Sequence, residues 1–115
     1  MTNVAYGDIW LVNYSPSIGH EYRKIRPAVV ISPNDLLKRS NLFTCIAITS
    51  KTTKIKPDDI ELPRTAQNKL HQDSVIKMEH VTSYDKRRLH KYIGTVDGKR
   101  LEAIKMRLKE LYELL

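Results

Sequence analysis

Apolar residues recur at helical spacing in one long stretch of this sequence, and that stretch is the last one. From residue 97 onward, successive apolar positions lie three or four residues apart. They are Leu101, Ile104, Leu108, Leu111 and Leu115. This spacing places all of them on one helical face, and Asp97 is a suitable N-cap because its carboxylate can accept from free N–H groups of the first turn. The sequence therefore predicts a terminal amphipathic helix that packs against the preceding residues.

The residues before this helix form short apolar runs separated by turn-forming or polar segments, a pattern that predicts strands. The runs span residues 9–14, 27–32, 42–49, 59–62, 74–82 and 92–96. Residues 34–38 could form one helical turn, and residues 63–72 are polar and irregular. Short strands with irregular links favour a mainly β (α+β) fold, a small closed or half-closed barrel, over a layered α/β fold.

The chain length and the net charge indicate how many domains the protein has and what kind of partner it favours. The 115 residues fit a single domain, so residues 1–115 are treated as one unit. Twenty Lys and Arg against thirteen Asp and Glu give a net charge of +7. Such a balance favours a polyanionic partner, although by itself it identifies none.

Targeting and redox signals favour a cytoplasmic location. The sequence has no apolar run of the roughly 18 residues that a membrane-spanning helix needs, and no secretory signal pattern. The single cysteine, Cys45, cannot form an intrachain disulfide and fits a reducing compartment. Its neighbours Phe43 and Ile46 predict a buried thiol.

The common cofactor and metal motifs are absent from the sequence. It contains no glycine-rich phosphate-binding loop, no nucleophile elbow and no pair of histidines four residues apart. One cysteine cannot make a zinc site of the usual spacing. We therefore expect no cofactor and no metal. The long helix has alternating charges instead of a basic face, which argues against the common helix-based DNA readers.

Charge is dense in the loop between the first two predicted strands. Within six residues it contains Glu21, Arg23, Lys24 and Arg26. Arg26 precedes Pro27 where the loop enters a strand, so its guanidinium would be preorganised to bind a phosphate bidentately. Thr49 ends the third strand beside a basic segment, which would place a hydroxyl at the edge of the sheet. A solvated loop and an ordinary strand-end threonine remain the alternatives.

A series of segments resembles the MazF/PemK toxin family, the ribonuclease toxins of bacterial type II toxin–antitoxin modules. In order they are Gly7-Asp8-Ile9-Trp10, Gly19-His20-Glu21, Arg26-Pro27-Ala28-Val29-Val30-Ile31-Ser32, Ile48-Thr49 and Asp73-Ser74-Val75. The resemblance extends over nearly the whole chain, from Gly7 to the terminal helix. Taken together in this order, the motifs are fairly specific.

The resemblance implies an SH3-like β-barrel with a C-terminal helix, assembled as a homodimer. It also implies a metal-independent endoribonuclease that cleaves single-stranded RNA and is inhibited by a cognate antitoxin. Attack by the 2′-hydroxyl would leave a 2′,3′-cyclic phosphate, or the opened 3′-phosphate, and a 5′-hydroxyl. In the family the arginine before proline and the threonine at the end of the third strand are catalytic. Those positions are Arg26 and Thr49 here, and the family's loop glutamate corresponds to Glu21.

RNA contacts are expected from the same loop and from the segment after the third strand. The candidates are His20, Arg23, Lys24, Ser50, Lys51, Lys54 and Lys56. His20 stands where many family members have serine, and we favour RNA contact over catalysis for it. The segment 22–25 also differs from the small, Gly-rich residues that are common in relatives, which bears on the RNA sequence recognised.

Two other functions remain as alternatives. The first is a gyrase-directed toxin of the CcdB type, which would bind a protein and need no cleavage chemistry. The second is a non-catalytic SH3-like module that binds nucleic acid in a salt-dependent way. The combination of Glu21, Arg26 and Thr49 argues for the ribonuclease.

Overall fold

Six antiparallel strands and two helices make up the fold in the computed structural model, which describes residues 3–50 and 54–114. The strands are β1 (Asp8–Asn13), β2 (Ile25–Val30), β3 (Leu42–Ser50), β4 (Ile60–Leu62), β5 (Ser74–Asp85) and β6 (Leu89–Thr95). The helices are α1 (Asn34–Arg39) and α2 (Gly98–Leu111), and a 3₁₀ turn spans Lys86–Arg88. The strand order is β4-β5-β3-β2-β1-β6. This curled sheet, a half-barrel, confirms the predicted mainly β fold with a C-terminal helix.

Each face of the sheet carries its own apolar core, because successive side chains of a strand point to opposite faces. Ile9, Val29 and Ile46 lie in the core beneath α2. Val12 and Ala28 lie in the other core. A sheet covered on both faces explains why β2 and β3 appear in the sequence as nearly continuous apolar runs.

Helix α2 forms as the apolar spacing predicts. The Asp97 carboxylate accepts a hydrogen bond from the backbone N–H of Arg100 (3.1 Å). Ile104 is buried, and Leu101 and Leu108 pack beside it against the first core. Leu111 packs there too, whereas Leu115 lies outside the described residues. None of the helices described in residues 3–50 and 54–114 is long and apolar enough to cross a membrane.

Strand β2 begins two residues earlier than the apolar pattern indicates. Pro27 was expected to start the strand, but Ile25 and Arg26 precede it and pair with Asn13 and Val12 of β1. The recorded pairs between β2 and β3 begin only at Ala28. The missing N–H of Pro27 is therefore accommodated where β2 pairs with β1 alone. As a result, Arg26 is a strand residue with a fixed backbone.

The segment 63–72 has no regular structure but is held firmly by one buried side chain. The amide oxygen of Asn68 accepts from the backbone N–H of Thr65 (2.9 Å) and of Leu70 (3.1 Å), and its amide nitrogen donates to the Pro63 carbonyl (2.9 Å). Gly94 of β6 lets this segment lie directly on the sheet. A Cβ atom at Gly94 would come within 2.7 Å of the backbone carbonyl oxygens of Gln67 and Asn68.

We expect Gly94→Ala to destabilise the fold by about 1–3 kcal/mol, because the methyl group must displace backbone atoms and not a flexible side chain. The measurement is the free energy of unfolding from urea denaturation. Gly98→Ala is the matched control, since a Cβ there has no heavy atom within 4 Å and alanine favours the helix. Equal stability of the two variants would contradict the close packing at Gly94.

Candidate active-site cleft

A cleft of about 630 Å³ opens where the start of β2 and the end of β3 meet the middle of β1 and β6 and the segment 69–72. Apolar side chains from these strands line it, as do polar and charged side chains. The lining residues that bear on its chemistry are Arg23, Lys24, Arg26, Thr49, Ser50, Lys69, His71, Gln72, Ser74, Lys91 and Tyr92. The fold therefore brings together residues from both halves of the sequence.

The cleft is strongly cationic. Five of its lining residues are Lys or Arg, and within the described parts of the chain no Asp or Glu lines it. A concave surface lined by charges of one sign concentrates ions of the opposite sign and raises their association rate. The electrostatics therefore suit a phosphodiester backbone.

Arg26 and Thr49 both lie in this cleft, at the start of β2 and near the end of β3. Ala28 lies opposite Ala47, and Val29 lies opposite Ile46. Arg26 and Thr49 lie just beyond these pairs, on the side of the sheet edge that borders the cleft. Both side chains are half-buried and both line the cleft. The two residues that the family resemblance identifies as catalytic therefore line the same cleft.

The Arg26 side chain is oriented by an aromatic ring. Its guanidinium carbon lies 4.7 Å from the centroid of the Tyr22 ring, a cation–π distance. Its Nε is buried and has no hydrogen-bond partner among the described residues. A buried donor without an acceptor costs about 1–3 kcal/mol, and such costs are common where a side chain is held for function.

Glu21 and His20 are placed differently. Glu21 is exposed, and its Oε1 accepts from the backbone N–H of Ile18 (2.7 Å), which closes a turn of the loop. Neither Glu21 nor His20 is among the residues that line the cleft. The structure thus shows Glu21 in a loop-stabilising contact, and the roles assigned to both residues stay predictions.

Arg23, Lys24 and Ser50 do line the cleft. Lys24 has a φ of +60°, which non-glycine residues seldom adopt. Two hydrogen bonds hold it there: its N–H donates to Ser15 Oγ (2.9 Å), and its carbonyl accepts from the N–H of Tyr14 (2.7 Å). The loop is therefore fixed immediately before β2, and this positions the basic side chains at the mouth of the cleft.

Lys54 and Lys56, which follow β3, are not among the residues that line the cleft. Lys56 Nζ forms an exposed ion pair with Glu79 (2.7 Å), and this contact raises the pKa of Lys56 and lowers that of Glu79. The Lys54 carbonyl accepts from Lys77 Nζ (3.2 Å). Lys51 falls outside the described residues. RNA binding by these three lysines stays a prediction.

Several cleft residues were not singled out by the sequence. Lys69 and His71 come from the irregular segment, and Lys91 and Tyr92 come from β6. Tyr92 is 47% exposed, and its ring meets Trp10 edge-on at 5.8 Å. No local pattern marks these residues, because only the packing of the segment 63–72 on β6 brings them to the cleft.

Cys45 is not a candidate nucleophile. The residue is completely buried, as the sequence predicts, and its Sγ lies 3.7 Å from the hydroxyl of the buried Tyr14. Burial raises the pKa of the thiol to about 11, so the reactive thiolate is scarce at neutral pH. Among residues 3–50 and 54–114, no group of three His, Cys, Asp or Glu is arranged to hold a metal ion.

Comparison with known proteins gives consistent matches. The family model for PemK-like, MazF-like toxins of type II toxin–antitoxin systems matches residues 5–112. Endoribonuclease MazF of Staphylococcus saprophyticus subsp. saprophyticus is 33% identical over 99 residues, which are 85% of this chain and 82% of that protein. The crystal structure of MazF (Form-I) from Deinococcus radiodurans is 25% identical, with a TM-score of 0.82 over 96% of each chain.

A further structure, an endoribonuclease in complex with its cognate antitoxin from Mycobacterial species, shares the fold. Its TM-score is 0.77 over 97% of each chain, at 13% sequence identity. The two proteins therefore have the same fold although only 13% of their residues are identical.

Proposed function

This chain belongs to the PemK-like, MazF-like toxins of type II toxin–antitoxin systems, and from that membership we propose that it is a metal-independent, sequence-specific endoribonuclease. Its substrate is single-stranded RNA, including mRNA, and cleavage arrests translation and growth. The observation that carries the proposal is the cationic cleft that both Arg26 and Thr49 line. The activity named for the Staphylococcus saprophyticus relative agrees with it.

The substrate supplies the nucleophile. The 2′-oxygen attacks the adjacent phosphorus, the bond from phosphorus to the 5′-oxygen breaks, and a 2′,3′-cyclic phosphate forms. The 2′-hydroxyl proton passes to a base on the protein, and the departing 5′-oxygen takes a proton from water. The protein therefore has to orient the phosphate, stabilise the added negative charge and accept the 2′-hydroxyl proton.

Arg26 is proposed to stabilise the phosphorane, because its planar donors match two phosphate oxygens at once. A guanidinium presents several donors in one plane and gives up a proton only reluctantly, so charge stabilisation suits Arg26 better than proton donation. The Thr49 hydroxyl would donate to a phosphate oxygen from the adjacent strand. Both are rigidly held on strands, which is what a preorganised site requires.

Glu21 is the proposed general base. To act, its carboxylate must come within about 3 Å of the 2′-hydroxyl. Its present hydrogen bond to the Ile18 N–H would then be lost or shared, so RNA binding has to rearrange this turn. The proposal thus includes a local loop movement on substrate binding.

Arg23, Lys24 and Ser50 are proposed to bind the RNA backbone inside the cleft. His20, Lys51, Lys54 and Lys56 are proposed to extend that contact along the strand outside it. Arg and Lys side chains that follow a phosphodiester chain give affinity that falls steeply with salt.

The proposed partners are a second copy of the chain and an antitoxin. A homodimer would join two such clefts near the subunit boundary. The antitoxin is expected to carry an acidic C-terminal segment that competes with RNA for the cationic surface, and a relative of this fold is known bound to its cognate antitoxin. The proposed location is the cytoplasm, where mRNA is found.

Arg26→Ala should lower kcat/KM for RNA cleavage by about 10²–10³-fold, because a preorganised donor to the developing charge is lost. Arg26→Lys should recover only part of the activity, since one ammonium cannot bind two oxygens. Lys99→Ala is the control, because Lys99 is exposed on α2 away from the cleft. The measurement is cleavage of a fluorescent single-stranded RNA, with urea denaturation to check folding.

The same assay tests the chemistry itself. A 2′-deoxy nucleotide at the scissile position should block cleavage, EDTA should leave the rate unchanged, and the products should carry 5′-hydroxyl ends. Cleavage of the deoxy substrate or a metal requirement would contradict the proposal. Salt-dependent RNA binding without cleavage would favour the non-catalytic module, and gyrase-dependent DNA breaks would favour the CcdB-like alternative.

Two substitutions at Glu21 separate a base from a loop-stabilising residue. Glu21→Gln keeps an oxygen that can accept from the Ile18 N–H but removes the basic carboxylate, whereas Glu21→Ala removes both. If Glu21 is the base, both variants should lose about 10²–10⁴-fold in kcat. Near-normal kcat in Glu21→Gln, with loss only in Glu21→Ala, would assign Glu21 to the loop alone. Single-turnover cleavage is the measurement.

A further inference from the structure

The ring of Tyr22 contacts two other functional groups at once. The Arg26 guanidinium carbon lies 4.7 Å from its centroid, and the centroid of the His80 imidazole lies 4.3 Å from it with the rings tilted by 39°. Tyr22 belongs to the β1–β2 loop, Arg26 to β2 and His80 to β5. We refer to Arg26, Tyr22 and His80 as the aromatic stack.

Buried residues of the apolar core hold the aromatic stack in place. The Tyr22 ring meets the Tyr14 ring edge-on, with 6.3 Å between their centroids. Tyr14 is 2% exposed, and its hydroxyl contacts the sulfur of the buried Cys45. The N–H of Tyr14 donates to the Lys24 carbonyl, which ties the same loop back to the end of β1. Tyr22 is therefore not a mobile loop side chain, since buried residues determine its position.

The stack provides the orienting contact that a hydrogen bond to Arg26 Nε would otherwise give. Arg26 Nε is buried without a hydrogen-bond partner among the described residues. Its guanidinium nevertheless has to keep one direction for its remaining donors to reach a phosphate in the cleft. A ring face under a guanidinium restrains its plane and leaves the edge donors available.

We propose that Tyr22 and His80 are positioning residues for Arg26: the Tyr22 ring, packed against the His80 ring, holds the guanidinium in the direction needed for the scissile phosphate. This inference rests on the proposed function, because it specifies how the phosphate-binding arginine of that site is held. It adds residues that no feature of the sequence had connected with Arg26.

The charge of His80 depends on groups from two elements. On β5 its neighbours are Glu79 and Lys77, and from the segment before β4 it faces Lys56 and Asp59. The two acids raise the pKa of His80 and the two lysines lower it, but burial is the largest effect and makes the net direction downward. The imidazole is therefore neutral at physiological pH. Acidification charges it, and a charged imidazole favours water over a stacked position.

Variants of Tyr22 test the positioning role. Tyr22→Leu removes the ring face and should lower kcat about tenfold while changing KM little, because one cation–π contact supports the transition-state geometry. Tyr22→Phe retains the ring face and should recover most of the lost kcat. A phenylalanine variant as impaired as the leucine variant, or a leucine variant with unchanged kcat, would overturn the proposal. Urea denaturation of both variants accounts for any difference in folding.

Variants of His80 test the pH dependence. In the wild type, kcat should fall only as pH is lowered below about 6.5, because burial places the pKa of His80 below the ordinary value for histidine. His80→Phe keeps an aromatic ring that cannot be charged, so this part of the pH profile should disappear. An identical acidic limb in His80→Phe would rule out His80 as its origin and overturn the neutral-stack mechanism.

An NMR measurement separates this proposal from the ribonuclease proposal. The Cδ protons of Arg26 should show an upfield ring-current shift that Tyr22→Leu removes and Tyr22→Phe retains. The shift should diminish on acidification in the wild type and persist in His80→Phe. Because no RNA is present, absence of the shift refutes the stack even if cleavage is confirmed. A normal shift in a protein that fails to cleave RNA refutes the proposed function instead.

Discussion

The pairing of β2 with β3 is the constraint on which the site depends. Antiparallel register brings Ala28 opposite Ala47, and Arg26 and Thr49 follow on the same two strands at the cleft. A slip of one residue would turn the side chains of one strand toward the opposite face of the sheet and remove Arg26 or Thr49 from the cleft. That register is well specified because both faces are buried, so any slip would expose one apolar core and bury polar groups in the other. The packing that stabilises the fold therefore also holds Arg26 and Thr49 in the cleft.

The packing of the chain determines where the charged side chains of the cleft lie. The cations of the cleft come from the β1–β2 loop, from the irregular segment and from β6, and they converge because these three pieces surround the same strand ends. Acidic side chains near this region make protein contacts instead: Glu21 bonds to the loop backbone, and Glu79 pairs with Lys56. Five cationic side chains are thereby gathered in one concavity.

The periodicity of apolar residues predicted the helices and strands well, but it predicted the residues of the site less well. Helix α2 and strand β3 could be located because each repeats one pattern over its length, whereas the start of β2 was missed because a proline inside a strand resembles a boundary. Arg26, Thr49 and Glu21 were selected through family resemblance, and the structure brings the first two into one cleft. Three further cleft residues could not be predicted from the sequence as site residues: Lys69, Lys91 and Tyr92. They come together only because Asn68 and Gly94 fix the position of the segment 63–72 on the sheet. The contact between Tyr22 and His80 likewise joins residues far apart in the chain.

The segment 63–72 forms one wall of the cleft. The residues that anchor this wall are different from the residues that face the cleft. Asn68 and Gly94 determine where this wall lies, while the side chains of the wall that face the cleft, Lys69, His71 and Gln72, take no part in that anchoring. Arg26 and Thr49 belong to a different wall, built on paired strands. Exchanging side chains on the first wall would therefore leave the strands that hold Arg26 and Thr49 in place. The fold accordingly allows the two walls of one cleft to vary in sequence independently of each other.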